Sequence, residues 1–334
     1  MITGLPDTVR ALLRDEPVPT WRDPMLATLT EKRFSDPRWI FEPKLDGERC
    51  LAFRDGKRVR MMSRNRQQLN ETYPELVDAL REQHVSRFVV DGEIVAFKGS
   101  HTSFARLQRR MGITDPERAR GAGIPVFYYL FDLLHLDGKN TTQLPLMWRN
   151  RLLQDAFEFQ DPLRYTPHSV QDGENAYRTA CSRGDEGVIA KLADSRYEGR
   201  RSPNWLKFKC VRDQEFVIGG YTAPKGSRVG LGALLVGYYE GPDLVYAGKV
   251  GTGFDTATLR SLYRRLSAIE QDTCPFTRGR VHRDGVHWVA PKLVAQVGFT
   301  EWTRDGKLRH PRYTGLRTDK DPGQVVRETP DTAQ

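Results

Sequence analysis

Apolar residues alternate with polar ones in short runs over the first 210 residues, a pattern that predicts strands with one buried face. The predicted strands cover residues 39–42, 49–53, 88–97, 126–134, 185–191 and 205–209. Apolar residues at helical spacing predict helices over residues 72–83, 103–111, 145–157 and 174–183, and the second of these helices is predicted to point Arg106, Arg109 and Arg110 outward. Thr72 and Glu75 have capping-box spacing at the start of the first helix. The mixture predicts an α+β fold with helices flanking sheets.

The pattern changes after Lys209, where short β-like runs separated by glycine-rich turns predominate. The predicted strands there are residues 215–221, 233–239, 244–250, 286–292 and 293–303, with one helix over residues 255–269. Five strands with one helix are typical of a small closed barrel of the oligonucleotide-binding (OB) type. We therefore predict a first domain over residues 1–210 and a barrel domain over residues 211–320. The polar, proline-bearing residues 321–334 are predicted to be a disordered tail.

The charge balance of the 334 residues favours a polyanionic partner. Lys and Arg number 52 against 43 Asp and Glu, a formal net charge of +9. Nucleic acid is such a partner, and a generic basic surface is the alternative. The four cysteines are scattered, without a CxxC or Cys/His spacing, which argues against a disulfide framework or a zinc site. No signal peptide or membrane-spanning run is present, so we expect a cytoplasmic protein in a reducing compartment, without a membrane association.

The candidate nucleophile is Lys44, in the stretch Lys44-Leu45-Asp46-Gly47 that follows the first strand. A lysine attacks phosphorus only as the neutral amine, whereas a free lysine has a pKa of roughly 10.4. Partial burial and neighbouring cations disfavour the charged form, and the cationic candidates are Arg49, Lys207 and Lys209. The short motif alone is more typical of an exposed turn after a strand.

Carboxylates and cations recur on predicted strands elsewhere. Asp91 and Glu93 share one face of an apolar strand and need a cation, a metal or a hydrogen-bond donor there. Glu186 precedes another apolar strand and is a candidate metal or ribose ligand. Lys207 and Lys209 emerge together on one face, where an anion such as a triphosphate fits between them. A solvated basic face is the alternative for that strand.

Several short stretches, taken in their order along the chain, resemble motifs of the covalent nucleotidyltransferases, which comprise DNA ligases, RNA ligases and mRNA capping enzymes. The matching stretches are Lys44-Leu45-Asp46-Gly47, Ser63-Arg64-Asn65, Asp91-Gly92-Glu93, Leu130-Phe131-Asp132, Glu186-Gly187-Val188-Ile189, Trp205-Leu206-Lys207-Phe208-Lys209 and, near the end, Arg317-Thr318-Asp319-Lys320. The likeness is greatest to bacterial ATP-dependent DNA ligases of the ligase C type, which are similar to the ligase domain of ligase D. It implies an adenylation domain of antiparallel sheets with flanking helices, followed by an OB-fold barrel.

The resemblance also implies a chemistry and a role for each residue. Lys44 would take AMP from ATP, the AMP would pass to a 5′-phosphate at a nick, and a 3′-hydroxyl would displace it. Glu42 would contact the adenine edge, Arg49 and Glu93 the ribose, Phe131 the base by stacking, and Arg64 the 5′-phosphate of the nick. Glu186 would hold Mg²⁺ or Mn²⁺ with Asp46 as a helper, Lys207 and Lys209 would neutralise the α-phosphate, and Arg201 is a weaker candidate for contacting ATP. Arg317, Asp319 and Lys320 would close over pyrophosphate, with a hinge near residues 211–214.

The predicted activity is therefore ATP-dependent DNA ligation in repair. The expected partners are nicked duplex DNA and other repair proteins, and the enzyme is expected to be a monomer. Two alternatives stay open at this point. An RNA ligase or a capping guanylyltransferase shares the Lys-x-Asp-Gly motif and would differ in its nucleotide or its polynucleotide substrate. A non-catalytic OB-fold binding protein would form no covalent adenylate.

Overall fold

The computed structural model describes residues 2–210, 213–224, 226 and 228–328. The chain divides into two compact units, residues 1–210 and residues 211–329. The first two residues of the predicted hinge, 211 and 212, lie outside the described part of the chain. Asp213 and Gln214, the other two residues of that hinge, belong to the first strand of the second unit.

The first unit is built mostly of strands. Its strands are β1 (Arg14–Asp15), β2 (Leu26–Leu29), β3 (Trp39–Pro43), β4 (Glu48–Asp55), β5 (Arg58–Ser63), β6 (Arg87–Val95), β7 (Phe97–Lys98), β8 (His101–Thr102), β9 (Phe127–Leu136), β10 (Lys139–Asn140), β11 (Leu163–Tyr165), β12 (Ser169–Val170), β13 (Gly187–Leu192) and β14 (Arg201–Lys209). Its helices are α1 (Asp7–Arg10), α2 (Pro74–Glu82), α3 (Phe104–Leu107), α4 (Pro116–Arg120), α5 (Leu146–Ala156) and α6 (Gly173–Arg183), after a 3₁₀ turn at Ile2–Gly4.

Two sheets organise this unit. One runs β1-β10-β9-β6-β4-β5, with β11 added parallel to β9. The other runs β12-β3-β13-β14-β2, and its β13 pairs antiparallel with both β3 and β14. Apolar side chains of both sheets pack together in one cluster that includes Leu51, Phe131 and Trp205. The second sheet packs its other face, with Phe41 and Phe208, against α6. The face of β14 that carries Trp205 also carries Lys207 and Lys209, so polar side chains lie beside this apolar contact on the same face of β3, β13 and β14.

Two glycines of the matched motifs are required by close backbone contacts. A Cβ at Gly47 would collide with the carbonyl oxygen of Ile94 on β6. Gly187 has a φ of +146°, and a Cβ there would collide with the carbonyl oxygen of Phe208. Both glycines therefore let strands approach closely beside Lys44.

The second unit contains a twisted sheet and one helix. The elements are β15 (Asp213–Thr222), β16 (Leu234–Glu240), β17 (Asp243–Val250), α7 (Thr256–Ser267), β18 (Glu270–Gln271), β19 (Val286–Gly298), β20 (Glu301–Trp302), β21 (Leu308–Arg309), β22 (Arg312–Leu316) and a 3₁₀ turn at Pro322–Gln324. The sheet order is β17-β16-β15-β19-β18, with β22 also paired to β19. The two strands predicted over residues 286–303 are wrong in detail: residues 286–298 form one continuous strand, and β22 was not predicted.

Three local predictions for the first unit were wrong. The Thr72/Glu75 capping box is absent, because Tyr73 precedes α2 without a side-chain cap and Glu75 pairs with Arg110. The helix predicted over residues 103–111 is a single turn, α3. Arg110 is buried instead of outward, and it donates to the carbonyl oxygens of Thr72 and Ile124.

The tail and cysteine predictions also need correction. Residues 321–328 are structured: Val325 is buried, and the Gln214 side chain donates to the Val326 carbonyl oxygen. Residues 329–334 lie outside the described residues. Cys181 and Cys210 form a disulfide, so the expectation of unpaired cysteines in a reducing compartment was wrong about this pair. Within the described residues, no helix is both long and apolar enough to cross a bilayer.

Candidate active site

The face of the second sheet that carries Lys207 and Lys209 also carries other polar residues predicted for the site. Across β3, β13 and β14, Glu42 lies opposite Ile189, which lies opposite Lys207. One step along, the Lys44 amide donates to the Gly187 carbonyl oxygen at 2.9 Å, and Gly187 lies opposite Lys209. Because residues two apart on a strand and residues opposite each other share a face, the acid and the three lysines lie on the same side.

Lys44 forms an ion pair with Glu186, the residue just before β13. Their side chains are 18% and 17% exposed, so the pair is largely enclosed but open to a ligand. The glutamate predicted as a metal ligand is thus the direct partner of the predicted nucleophile. Lys207 and Lys209 are half-buried beside them, and a phosphate between these cations would relieve their mutual repulsion.

Asp46 supports the site through the backbone. Its carboxylate accepts a hydrogen bond from the Phe104 amide at 2.8 Å, at the start of α3. Its own amide donates to the Thr102 hydroxyl at 3.1 Å. These bonds attach the turn after Lys44 to β8 and α3. The structural role differs from the direct part in the chemistry that the sequence predicted for Asp46.

A second pair of the same kind lies deeper, between Glu42 and Lys191. Lys191 Nζ is 2.6 Å from Glu42 Oε2, and the two side chains are 3% and 2% exposed for Glu42 and Lys191 respectively. The other oxygen, Glu42 Oε1, is buried and has no hydrogen-bond partner among the described residues. Burial raises the pKa of Glu42 to about 7, although Lys191 lowers it. Burial lowers the pKa of Lys191, against the effect of Glu42.

Arg49 lies in a buried network beneath the same face. Its guanidinium makes two 2.5 Å hydrogen bonds to Asp91 and a third to the carbonyl oxygen of Met25. Tyr197 donates its hydroxyl to Asp91 at 2.5 Å. Burial lowers the pKa of Arg49, but Asp91 more than offsets this effect and holds the pKa above its usual value. Arg49 is therefore a fixed cation, and the predicted ribose ligand Glu93 lies opposite it on β6.

Aromatic rings and cations meet at Phe131. Lys191 Nζ lies 4.1 Å from the centroid of this ring, and the Arg49 guanidinium carbon lies 4.6 Å from it. Trp205 meets Phe131 edge-on at 6.0 Å and also carries Lys191 over its ring, at 4.2 Å. Only 8% of Phe131 is exposed, so its stacking on a base stays a prediction.

Two predicted nucleotide or DNA contacts lie at strand ends. Arg64 follows the Cys50–Ser63 pair of β4 and β5, at the end of the sheet where Arg49 lies. Arg201 begins β14, six residues before Lys207, and donates to the Ala27 carbonyl oxygen. Arg201 lies opposite Leu26 of β2 and Lys207 lies opposite Leu29, because β14 is irregular between Ser202 and Leu206. At about 3.3 Å per residue of β2, the two positions are roughly 10 Å apart.

The remaining predicted residues belong to the second unit. Arg317 makes two hydrogen bonds to Asp319, at 2.8 and 2.6 Å, and Asp319 is buried. Lys320 Nζ lies 3.8 Å from Glu215. The closure of these three residues over pyrophosphate stays a prediction.

The donor set at Glu186 fits a divalent metal that is shared with a nucleotide. No group of three or more His, Cys, Asp or Glu side chains in the described part of the chain could hold a metal ion without help. Mg²⁺ is commonly bound by one or two carboxylates together with phosphate oxygens of the substrate. Glu186 would supply the carboxylate of such a shared site, and a nucleotide held by the neighbouring lysines would supply the phosphate oxygens.

Sequence analysis missed the parts played by Lys191 and Asp91. Lys191 follows Gly187 and Ile189 at period two, so the alternation of β13 places it on the same face as the other lysines. The sequence indicated that Asp91 is an acid on an apolar strand. Its pairing with Arg49 connects two neighbouring strands, so no local sequence pattern predicts it.

Comparisons with known proteins agree with this geometry. The family model described as "ATP dependent DNA ligase domain" matches residues 24–209, and that described as "ATP dependent DNA ligase C terminal region" matches residues 227–320. The multifunctional non-homologous end joining protein LigD of Pseudomonas aeruginosa is 38% identical over 325 residues, covering 94% of this chain and 37% of the relative. The Mycobacterium tuberculosis LigD is 39% identical over 316 residues, covering 91% of this chain and 40% of the relative.

Among solved structures, a mycobacterial DNA ligase D complexed with ATP and MES has a TM-score of 0.65 and 36% identity. The match covers 92% of this chain and 98% of that chain. The chain spans about two fifths of the length of the two LigD relatives. The predicted α+β organisation, with an adenylation domain followed by an OB-fold domain, is confirmed.

Proposed function

Because this chain belongs to the family of ATP-dependent DNA ligases, we propose that it seals nicks in duplex DNA through a lysyl-AMP intermediate. The observation that carries the proposal is the placement of Lys44, Glu186, Lys207 and Lys209 on one face of one sheet. A nucleophile, a metal-binding carboxylate and two phosphate-neutralising cations are what attack on the α-phosphate of a nucleoside triphosphate requires.

In the first step, the neutral amine of Lys44 attacks the α-phosphorus of ATP. A nitrogen–phosphorus bond forms and the bond to the β-phosphate oxygen breaks, so pyrophosphate leaves. The Lys44 proton must pass to Glu186, its ion-pair partner, or to water before attack, and Lys207 and Lys209 on the same face disfavour the charged amine. Glu186 would hold Mg²⁺ or Mn²⁺, and the metal supplies stabilisation of the phosphoryl charge.

In the second and third steps, the 5′-phosphate of a nick takes the AMP from Lys44, and the 3′-hydroxyl then displaces AMP and forms the phosphodiester. Glu42 is assigned to the adenine edge, Arg49 and Glu93 to the ribose side, Phe131 to the base, and Arg64 to the 5′-phosphate. Arg317, Asp319 and Lys320 are assigned to pyrophosphate in the first step. Arg201, at the start of β14, is a weaker candidate for contacting ATP.

The relatives named for non-homologous end joining support a role in DNA repair. We infer that the enzyme acts in the cytoplasm as a monomer, on nicked duplex DNA and beside other repair proteins. The excess of cations over acids suits the polyanionic substrate.

The test is strand joining on a nicked duplex with ATP or GTP, with DNA and RNA versions of the nicked strand, for wild type and Lys44→Ala. We expect joining of DNA with ATP by wild type and none by Lys44→Ala. Joining by Lys44→Ala would overturn the mechanism. Preferential joining of RNA, or labelling by GTP in place of ATP, would show an RNA ligase or a capping enzyme instead.

A further inference from the structure

The buried pair beneath the site has one acceptor that nothing in the described chain satisfies. Glu42 Oε1 is buried without a hydrogen-bond partner among the described residues, while Glu42 Oε2 is held by Lys191 at 2.6 Å. A buried carboxylate oxygen without a donor is unfavourable, so a ligand donor is expected to complete it. Glu42 lies two residues from Lys44 on the same face, next to where a nucleotide must sit.

The charge of Glu42 decides which base it accepts. An ionised carboxylate only accepts hydrogen bonds, so it suits the exocyclic amino group of adenine and opposes the O6 acceptor of guanine. A protonated carboxyl group can donate, and it would tolerate guanine. Selection of adenine therefore needs a Glu42 that is ionised at neutral pH.

Lys191 supplies the only charge in direct ion-pair contact with Glu42 among the described residues. Its ammonium group is fixed between the Phe131 and Trp205 rings, 4.1 and 4.2 Å from their centroids. This arrangement fixes Glu42 Oε2 and leaves Oε1 to the ligand. We propose that Lys191 is a positioning residue that keeps Glu42 ionised and oriented, and thereby sets the preference for ATP over GTP. The inference rests on the proposed nucleotide site and names the source of its base selectivity.

The other charges near the pair are already compensated. Asp132 and Arg49 also act on Glu42, but Asp132 pairs with Arg149 and Arg49 pairs with Asp91. Tyr165 and His168 are the remaining titratable groups near the pair. Burial raises the pKa of Tyr165 to about 12 and lowers the pKa of His168, so both are mainly neutral from pH 6.5 to 8.5. Within that range, Glu42 is the group expected to titrate, because burial raises its pKa to about 7.

The test measures equilibrium dissociation constants for ATP and GTP by calorimetry from pH 6.5 to 8.5. A Lys44→Ala background removes the covalent step, so binding is measured whether or not the protein proves to be a ligase. We expect the preference for ATP to fall as the pH drops below about 7, where Glu42 takes up its proton. Lys191→Met should shift this fall upward by at least about one pH unit, because a buried carboxyl without its cation holds its proton more tightly. At pH 7.5 the preference should then drop by about 10- to 100-fold.

Glu42→Gln and the double variant Glu42→Gln/Lys191→Met separate positioning from a merely structural role. A glutamine needs no cation, so Lys191→Met should have no further effect on base preference in that background. Glu42→Gln should also abolish the pH dependence. The proposal is overturned if Lys191→Met keeps the wild-type preference and pH profile, if it changes both backgrounds equally, or if the pH dependence survives Glu42→Gln and so belongs to His168. If Lys191→Met does not fold, the double variant is compared with Glu42→Gln. The double variant buries no charge at these positions.

Discussion

Two lysine–glutamate pairs lie on one face of one sheet, and they differ in burial instead of in chemistry. The side chains of Lys44 and Glu186 are 18% and 17% exposed, whereas those of Lys191 and Glu42 are 2% and 3% exposed. The open pair can exchange its partners for a phosphate or a metal. The sealed pair has little contact with water, so each member depends on the other for its charge. Burial thus assigns the open pair to chemistry and the sealed pair to positioning.

Removal of the open lysine should have the largest effect. Lys44→Ala should lose covalent AMP and strand joining by at least about 1,000-fold, because it removes the proposed nucleophile, the partly exposed lysine that pairs with Glu186. Joined product on a denaturing gel is the measurement. Lys57→Ala, in the exposed turn between β4 and β5, is the matched control and should behave as wild type.

Neutralisation of the open glutamate tests what that residue contributes. Glu186→Gln keeps the size of the side chain but removes the charge that would hold a metal, and adenylation should slow by roughly 100-fold or more. Single-turnover formation of the AMP adduct measures this rate. If Glu186→Gln forms the adduct faster than wild type, Glu186 only restrains Lys44, and the assignment of the metal to Glu186 is wrong.

Breaking the sealed pair should destabilise the fold in a pH-dependent way. Lys191→Met leaves a buried carboxyl and should lower the free energy of unfolding by about 3–5 kcal/mol at pH 8. A carboxyl whose pKa is raised in the folded state stabilises the fold while protonated, and this contribution is lost as pH rises through the folded pKa. Wild-type Glu42 also holds its proton below about pH 7, so the deficit should grow as the pH rises above about 7. Urea unfolding measures it, and a deficit that is constant with pH would contradict the account.

The disulfide offers a smaller contrast on the opposite face of the sheet. Cys181 and Cys210 are 29 residues apart, and Cys210 packs with the apolar cluster of Phe41 and Phe208. Cys181→Ser should lower the free energy of unfolding by about 3 kcal/mol, through loss of loop closure, with the ATP preference unchanged. Cys274→Ser removes a free cysteine and serves as the control. Equal stability of wild type with and without reductant would show that the bridge does not contribute.

The alternation of β14 was enough to predict that Lys207 and Lys209 share a face, because period two is a local property of a strand. The depth of each pair was not predictable. The local sequence does not show which of Lys191 and Lys44 is buried. Lys191 is sealed because Phe131 and Trp205, from separate parts of the chain, pack around it.

The local errors have the same origin. Glu75 has capping-box spacing to Thr72, but the buried Arg110 pairs with it from 35 residues away. Residues 321–328 are polar in composition, yet Gln214 and Val325 hold them through a hydrogen bond and burial. In each case a tertiary partner outweighs the local pattern.

The most direct measurement maps the adduct. Wild-type protein incubated with ATP and Mg²⁺ is digested, and the peptides are sequenced by mass spectrometry under conditions that preserve the nitrogen–phosphorus bond. The account predicts AMP on Lys44 and none on Lys191. AMP on Lys191, or no AMP on any lysine of a protein that still joins DNA, would contradict the division between the open and the sealed pair.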